Sequence, residues 1–310
     1  MDKINVCVAC DDNYSKHAGV LIASILTNSN PDDNLAFYIL DGGISDIKKE
    51  EILTLKKIKD CEINFISVDE NNFSEYKKIK TLSHISFVTF YRLKLPSMFP
   101  NLKKIIYFDC DMVACHSLKE LFETDISNYC IAGCLDIGVK RPFFKDKNSY
   151  VNAGMLVFNL EKMRELDIEG KFLKYLQTTT DKLKYADQDI INNTCKGLIY
   201  ILEDEWNVQS SNFTNRSSYT DKPKIIHFIA KRKPWTYISY SYHRNIYFEN
   251  LQKTPWKLTE EEYKHWTIDN QRDSLIAYFK YRPLFALRPR FYVALYSTYV
   301  KPVLKKLVKI

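Results

Sequence analysis

The 310-residue sequence predicts an α/β fold: a mostly parallel, doubly wound sheet flanked by helices, with a basic, aromatic helical tail after it. Three observations carry that expectation. Short apolar runs alternate with amphipathic stretches from the start of the chain, which is the pattern of βαβ units. With 45% hydrophobic and 14% aromatic residues there is material for a full core, which excludes a disordered or fibrous chain. Charge is unevenly placed: net charge is +7, yet residues 271–310 hold nine Lys or Arg against the single acid Asp273, so residues 1–270 are close to neutral.

The elements follow in order. Ile4–Ala9 is a compact apolar strand, and Asp11-Asp12-Asn13 forms the turn after it. Ser15–Ser29 carries a helical apolar stripe. Leu35–Leu40 is a second strand, stopped by Asp41-Gly42-Gly43. Ser45–Ile58 is a helix that Ser45 can cap. Cys61–Val68 is a third strand, Ile85–Leu95 a helix, and Lys104–Phe108 a fourth strand. Ile131–Asp136 and Gly154–Asn159 are further strands, helices cover about 160–180 and 186–195, and Ile225–Phe228 is a last short strand. The composition shifts near Thr254-Pro255, which divides the chain into a catalytic unit over 1–255 and a tail over 256–310.

Several function classes fall away. No run approaches the roughly 20 apolar residues of a spanning helix. The N-terminal apolar run is too short for a secretory leader, so the eight cysteines are expected to be reduced thiols of a cytoplasmic protein. Cys7 and Cys10 lie in or beside a buried strand, not in a redox loop. The basic residues gather at one end instead of spreading over a folded face, which argues against nucleic acid. There is no Gly-x-Gly-x-x-Gly and no Gly-Lys-Ser/Thr, so neither a dinucleotide fingerprint nor a P-loop is present.

Four sites can carry chemistry. Asp109-Cys110-Asp111 puts two carboxylates at the carboxyl end of a strand, where open α/β sheets bind ligands. Such a pair suits a hard divalent cation that grips phosphate oxygens. Ala9 to Tyr14 follows the first strand, where a nucleotide base and ribose would lie. Tyr14 can stack on a base, and Asp11 can accept from an imide N–H. His227, followed by Lys231-Arg232-Lys233-Pro234-Trp235, offers an imidazole ligand and cations for a diphosphate. Asn152-Ala153-Gly154 and Tyr185-Ala186-Asp187-Gln188-Asp189 offer polar groups to sugar hydroxyls. Each reads equally as a strand-end turn, a cap or a core histidine when taken alone.

Together and in order, these blocks resemble glycosyltransferase family 8, in particular its bacterial lipopolysaccharide and lipooligosaccharide galactosyl- and glucosyltransferases. The resemblance covers about residues 3–240. It also takes in Leu40-Asp41-Gly42-Gly43-Ile44-Ser45, His84-Ile85-Ser86, Tyr91-Arg92-Leu93-Lys94 and Phe158-Asn159-Leu160. It implies a GT-A, Rossmann-like fold, a UDP-hexose donor, retention at the anomeric carbon, and Mn²⁺ with Mg²⁺ as a substitute. By the same resemblance, Ala9, Asp11, Asn13 and Tyr14 meet uridine; Asp109, Asp111 and His227 hold the metal, with Cys110 beside the nucleotide; and Lys233 and the backbone at Ala230 meet the diphosphate. Arg92, Asp136, Asn152, Ala153, Asp187 and Gln188 surround the donor sugar, with Gln188 under the anomeric carbon. His84, Tyr185 and the 136–148 loop face the acceptor. Ala230 departs from the glycine of the relatives, and the 136–148 stretch is shorter here.

Two other readings compete. Asp109 and Asp111 also fit the nucleophile and acid of a haloacid-dehalogenase-like phosphatase, although that motif belongs on a first strand. A self-glucosylating primer shares the expected donor. The tail holds eight aromatic residues among its basic ones, and Pro283, Pro289 and Pro302 break it into short pieces. It is expected to bind the anionic inner face of the plasma membrane peripherally, beside a saccharide or lipid-linked acceptor.

Overall fold

The computed structural model describes residues 3–78, 87–136, 149–179, 183–210, 222–229, 233–236, 243–281, 292, 295–300 and 304. Among these, seven strands form one sheet in the order β3-β2-β1-β4-β7-β6-β8. The first half is a run of parallel units: β1 (Ile4–Cys10), α1 (Ser15–Asn28), β2 (Leu35–Asp41), α2 (Asp46–Leu53), β3 (Glu62–Ser67) and β4 (Lys104–Phe108). β1 lies centrally, and its side chains are buried on both faces, as a near-continuous apolar run requires. Its order relative to β2 and β4 creates a switch point at the carboxyl ends of β1 and β4.

The second half supplies the antiparallel pairs of a sheet that is mostly parallel, as expected. β7 (Val151–Asn159) runs antiparallel to both β4 and β6 (Ile131–Leu135), and β8 (Ile199–Ile201) adds parallel to β6 at the edge. A three-stranded sheet sits after the Asp109–Asp111 turn: β5 (Met112–Ala114) pairs antiparallel with β10 (Ile225–His227), which pairs parallel with β9 (Val208–Gln209). Strands this short carry little periodicity, and β5 and β9 were not expected from the sequence.

The helices conform more loosely. Residues 85 and 86 lie outside the described part, and Phe87–Lys94 winds as a tight 3₁₀ helix before α3 (Leu95–Met98). The β-branched and aromatic run Phe87-Val88-Thr89-Phe90-Tyr91 resists a regular α-helix. α2 is likewise shorter than expected and continues as a 3₁₀ turn over Thr54–Lys57. Ser45 occupies the capping position of α2 without a side-chain cap, and its N–H donates instead to Asp12 Oδ1 at 2.9 Å.

After α4 (Lys119–Glu123), α5 (Leu160–Glu165) and α6 (Ile168–Thr178) follow β7. Asn159 and Asp167 cap them, accepting from Lys162 N and Gly170 N. α7 (Ala186–Thr194) begins with Ala186 at φ 45°, a left-handed conformation that costs an alanine about 1 kcal/mol. α8 (Arg244–Leu251), unforeseen in the sequence, packs on α1. α9 (Glu260–Lys264) opens with a Thr259–Glu262 capping box and continues through a π-turn into α10 (Asn270–Tyr281). Arg244 is fully buried and bonds Asn270 Oδ1 at 2.9 Å, so the start of α10 is tied to α8. Trp256 lies on α1 at Gly19, where an added Cβ would meet the indole at 2.2 Å.

Candidate active site

The switch point opens into a cavity of about 520 Å³. Ala9, Asp11 and Tyr14 arrive from the end of β1, and Asp109, Cys110 and Asp111 from the end of β4. Asn152, Ala153 and Gly154 come from β7, Tyr185, Asp187 and Gln188 from the start of α7, and His227 and Lys233 from β10 and the turn after it. Residues far apart in sequence thus meet because four strand ends and one helix start converge.

The backbone fixes the two carboxylates. Asp109 N donates to Gly154 O at 2.7 Å, and Phe228 N donates to Asp111 O at 2.9 Å, so the turn is tied to β7 and β10 on either side. Asp109, Asp111 and His227 offer ligand atoms that all lie within 4.8 Å of one another. Asp111 Oδ1 is buried and accepts no hydrogen bond among the described residues. His227 Nε2 stands 3.2 Å from that oxygen, while Nδ1 faces Asn207 Oδ1 at 3.1 Å. Since Asn207 Nδ2 is committed to Asn152 Oδ1 at 3.0 Å, its oxygen accepts from Nδ1–H. The lone pair of Nε2 then points at the bare carboxylate oxygen. Two facing lone pairs, with the Asp109 carboxylate beside them, are a donor set that fits a divalent cation. Gly154 makes room for the imidazole: a Cβ there would meet His227 Cε1 at 2.3 Å.

Lys233 Nζ pairs with Asp111 Oδ2 and donates to Phe228 O at 2.7 Å. Burial works against the Asp111 charge, but the Lys233 ammonium outweighs it and holds the carboxyl well below the usual carboxylate range. Arg92 is fully buried between two acids. Nη2 bonds Asp109 Oδ1 at 2.6 Å, Nε lies 3.2 Å from Asp187 Oδ2, and the guanidinium carbon sits 4.2 Å over the Tyr107 ring. Burial opposes its charge, and Asp109 and Asp187 more than restore it. Asp187 is pushed up to about 6, by burial first and by Asp109, against the pull of Arg92.

Gln188 has both ends of its amide engaged. Oε1 accepts from Ala153 N at 3.0 Å and Asn152 Nδ2 at 3.3 Å, and Nε2 donates to Asp136 Oδ2 at 3.0 Å. Asp136 stands behind Gln188, also accepting from Asn152 Nδ2 at 3.0 Å. Asn13 is exposed in the turn after β1, apart from the cavity wall, and Tyr14 N donates to Asp11 Oδ1 at 3.0 Å. His84, Ala230 and residues 137–148 lie outside the described residues. The sequence reading missed Thr89, which bonds both Asp187 and Arg92, and Asn207, which orients His227. Neither sits in a motif, so no signal marked them.

These features define a cleft at the switch point of an α/β sheet whose Asp109, Asp111 and His227 can hold a cation. The family model "Glycosyl transferase family 8" matches residues 5–239, and the chain belongs to that family. It is 29% identical over 276 residues to General stress protein A of Bacillus subtilis (strain 168), covering 82% of this chain and 96% of the relative. It is 29% identical over 292 residues to a lipopolysaccharide 1,2-glucosyltransferase of Escherichia coli, covering 85% and 84%. Among solved structures, the galactosyltransferase LgtC in complex with donor and acceptor sugar analogs superposes with a TM-score of 0.71 at 26% identity, covering 83% of this chain and 98% of that one. The architecture is the GT-A type. Some relatives are longer: the chain spans 51% of one bifunctional glycosyltransferase of known structure.

Proposed function

We propose that this chain is a retaining hexosyltransferase that moves galactose or glucose from a UDP-sugar to a saccharide acceptor in cell-surface polysaccharide or lipopolysaccharide synthesis. The observation that carries the reading is the convergence of Asp109, Asp111 and His227 around an unpartnered carboxylate oxygen at the switch point. Those three residues would hold Mn²⁺, or Mg²⁺ in its place. A divalent cation there offsets the charge of the UDP leaving group. Lys233 is placed to share that task by exchanging Asp111 for the diphosphate. Ala9, Asp11, Asn13 and Tyr14 take uridine, with Cys110 beside it. Arg92, Asp136, Asn152, Ala153, Asp187 and Gln188 orient the donor sugar.

Both lone pairs of Gln188 Oε1 are occupied, so its amide is a positioning group and a poor nucleophile. The acceptor hydroxyl therefore attacks C1 on the face from which UDP departs. The C1–O bond to UDP breaks, the new C1–O bond forms, and the acceptor proton passes to the departing β-phosphate oxygen. A glycosyl adduct on Gln188, found by mass spectrometry, would refute this route.

The phosphatase alternative loses its footing, because Asp109 follows the fourth strand of a family 8 fold. A self-glucosylating primer is separated by intact mass after incubation with UDP-glucose. We also propose a catalytic unit over 1–255 and a membrane-associating segment within 256–310 that binds the inner face of the plasma membrane. Its support is the run of exposed apolar side chains at Ile276, Phe279, Tyr292, Leu295, Tyr296, Val300 and Leu304 amid basic residues. No described helix is long and apolar enough to cross a membrane. The test of the function is a panel of UDP-sugars with Mn²⁺, scored for UDP release. Turnover of UDP-galactose or UDP-glucose is expected, and no turnover of any UDP-sugar would overturn the reading.

A further inference from the structure

Lys233 sits in a single turn, Lys233–Thr236, closed by Thr236 N and Oγ1 donating to Lys233 O at 3.0 and 2.7 Å. Beyond the Lys233 side chain, the turn meets the body at the buried Pro234 and through the Trp235 ring. That indole lies flat on the His17 imidazole of α1, centroids 3.6 Å apart and planes at 16°. Its other ring neighbours are Tyr247 of α8, at 4.9 Å, and Tyr14, edge-on at 6.5 Å; Tyr14 also meets His17 edge-on at 5.4 Å. The Tyr247 hydroxyl meets His17 Nδ1 at 2.7 Å, so one tyrosine both touches the indole and fixes the plane on which the indole rests. Tyr247 is 1% exposed and lies beyond residues 5–239, the part matched by the family.

We propose that His17, locked by Tyr247, is a positioning residue that aims Lys233 at the diphosphate through Trp235. The inference rests on the UDP-sugar reading above and adds a role for α8. His17 serves as a flat plate and hydrogen-bond partner, not as a base. Burial drives its pKa down to about 3, with Lys16 adding to the fall, so the ring is neutral at physiological pH. The other charges facing it are Asp111, Lys233 and Lys48. A neutral ring stacks on indole at no cost in desolvated charge. Without the plate, Lys233 keeps its charge and loses its aim.

The brace acts mainly on the phosphate end of the ligand, since its contact with the uridine side is limited to the edge of Tyr14, and its coupling to Lys233 separates it from a merely structural role. Affinities for UDP and for uridine are measured by titration calorimetry and competition with Mn²⁺ present, in the full-length protein. His17→Ala is expected to weaken UDP about tenfold and uridine about threefold or less, the smaller loss passing through Tyr14. His17→Phe keeps a flat ring and should restore UDP to within about threefold of wild type. In a Lys233→Ala background, His17→Ala should add no more than its loss for uridine, because the residue it positions is gone. Tyr247→Phe should show the same split at smaller size, and it carries the test if His17→Ala does not fold. Equal losses for UDP and uridine, additive losses with Lys233→Ala, or no loss at all would each overturn the proposal. Failure of the wild type to bind UDP would remove the nucleotide reading itself, and the brace with it.

Discussion

Replacing Arg92 by lysine keeps the charge and removes the fork, which makes it a sharp test of how the site is held. The guanidinium donates to Thr89 O at 2.9 Å, Thr89 Oγ1 at 2.8 Å, Asp109 Oδ1 at 2.6 Å and Ala153 O, and it pairs with Asp187 at 3.2 Å. An ammonium has three donors at one point and cannot span these acceptors. At least two charge-assisted bonds are lost, each worth about 1.5–3 kcal/mol. Asp109 has a third of its side chain exposed and regains water, so the low end applies, roughly 3 kcal/mol in all. For 310 residues that corresponds to a fall in Tm of about 5 °C. Calorimetric melting of wild type and Arg92→Lys measures it. A Tm within about 1 °C of wild type would refute the claim that this fork organises the two acids.

Three further outcomes follow from the same geometry. Gly154→Ala should abolish Mn²⁺-dependent UDP binding while leaving the sheet intact, since the new Cβ displaces the His227 ring; titration calorimetry with circular dichroism checks it, and unchanged metal dependence would count against His227 as a ligand. Asp187, raised to about 6 from 3.8, favours the folded state when protonated, so its contribution to stability is present below about pH 4 and lost as pH rises through 6. If its ionised form orients the sugar, kcat/KM for the UDP-sugar rises through that same pH, and Asp187→Asn should flatten the limb in a profile over about pH 5 to 8. The full-length protein should sediment with anionic liposomes in a salt-sensitive way, and a chain ending at Leu275 should not, while both hydrolyse UDP-sugar; Asn270, Ser274 and Leu275 are buried, so a cut before them would damage the folded body. Equal sedimentation of the two would end the membrane proposal.

The parallel half of the fold was legible because β1 and β2 are short apolar runs each followed by a polar turn and a helix, and β3 and β4 are further short apolar runs. The antiparallel insertion of β7 was not, since Val151–Asn159 reads as a buried strand in either direction. Register and direction are set by partners, which one sequence does not carry. Asp109 and Asp111 were visible as a strand-end pair, and His227 as a histidine at a strand end. Their convergence was not visible bottom-up, because it depends on β5 and β10 folding back beside β4. Asn207, Thr89 and the Tyr247–His17–Trp235 stack escaped for a related reason. Each acts by contact across the fold, and none sits at a spacing that betrays its partner. The left-handed Ala186 before Asp187 was equally hidden, since alanine carries no signal for that conformation.

The account turns on whether Asp109, Asp111 and His227 hold a divalent cation beside UDP. The most direct measurement is a crystal structure with Mn²⁺ and UDP, with the metal located by its anomalous scattering. A single manganese peak bonded to both carboxylates and to His227 Nε2, with Lys233 moved from Asp111 to the diphosphate, is the predicted result. A peak elsewhere, or UDP bound in the cavity with no metal on these three side chains, would contradict it.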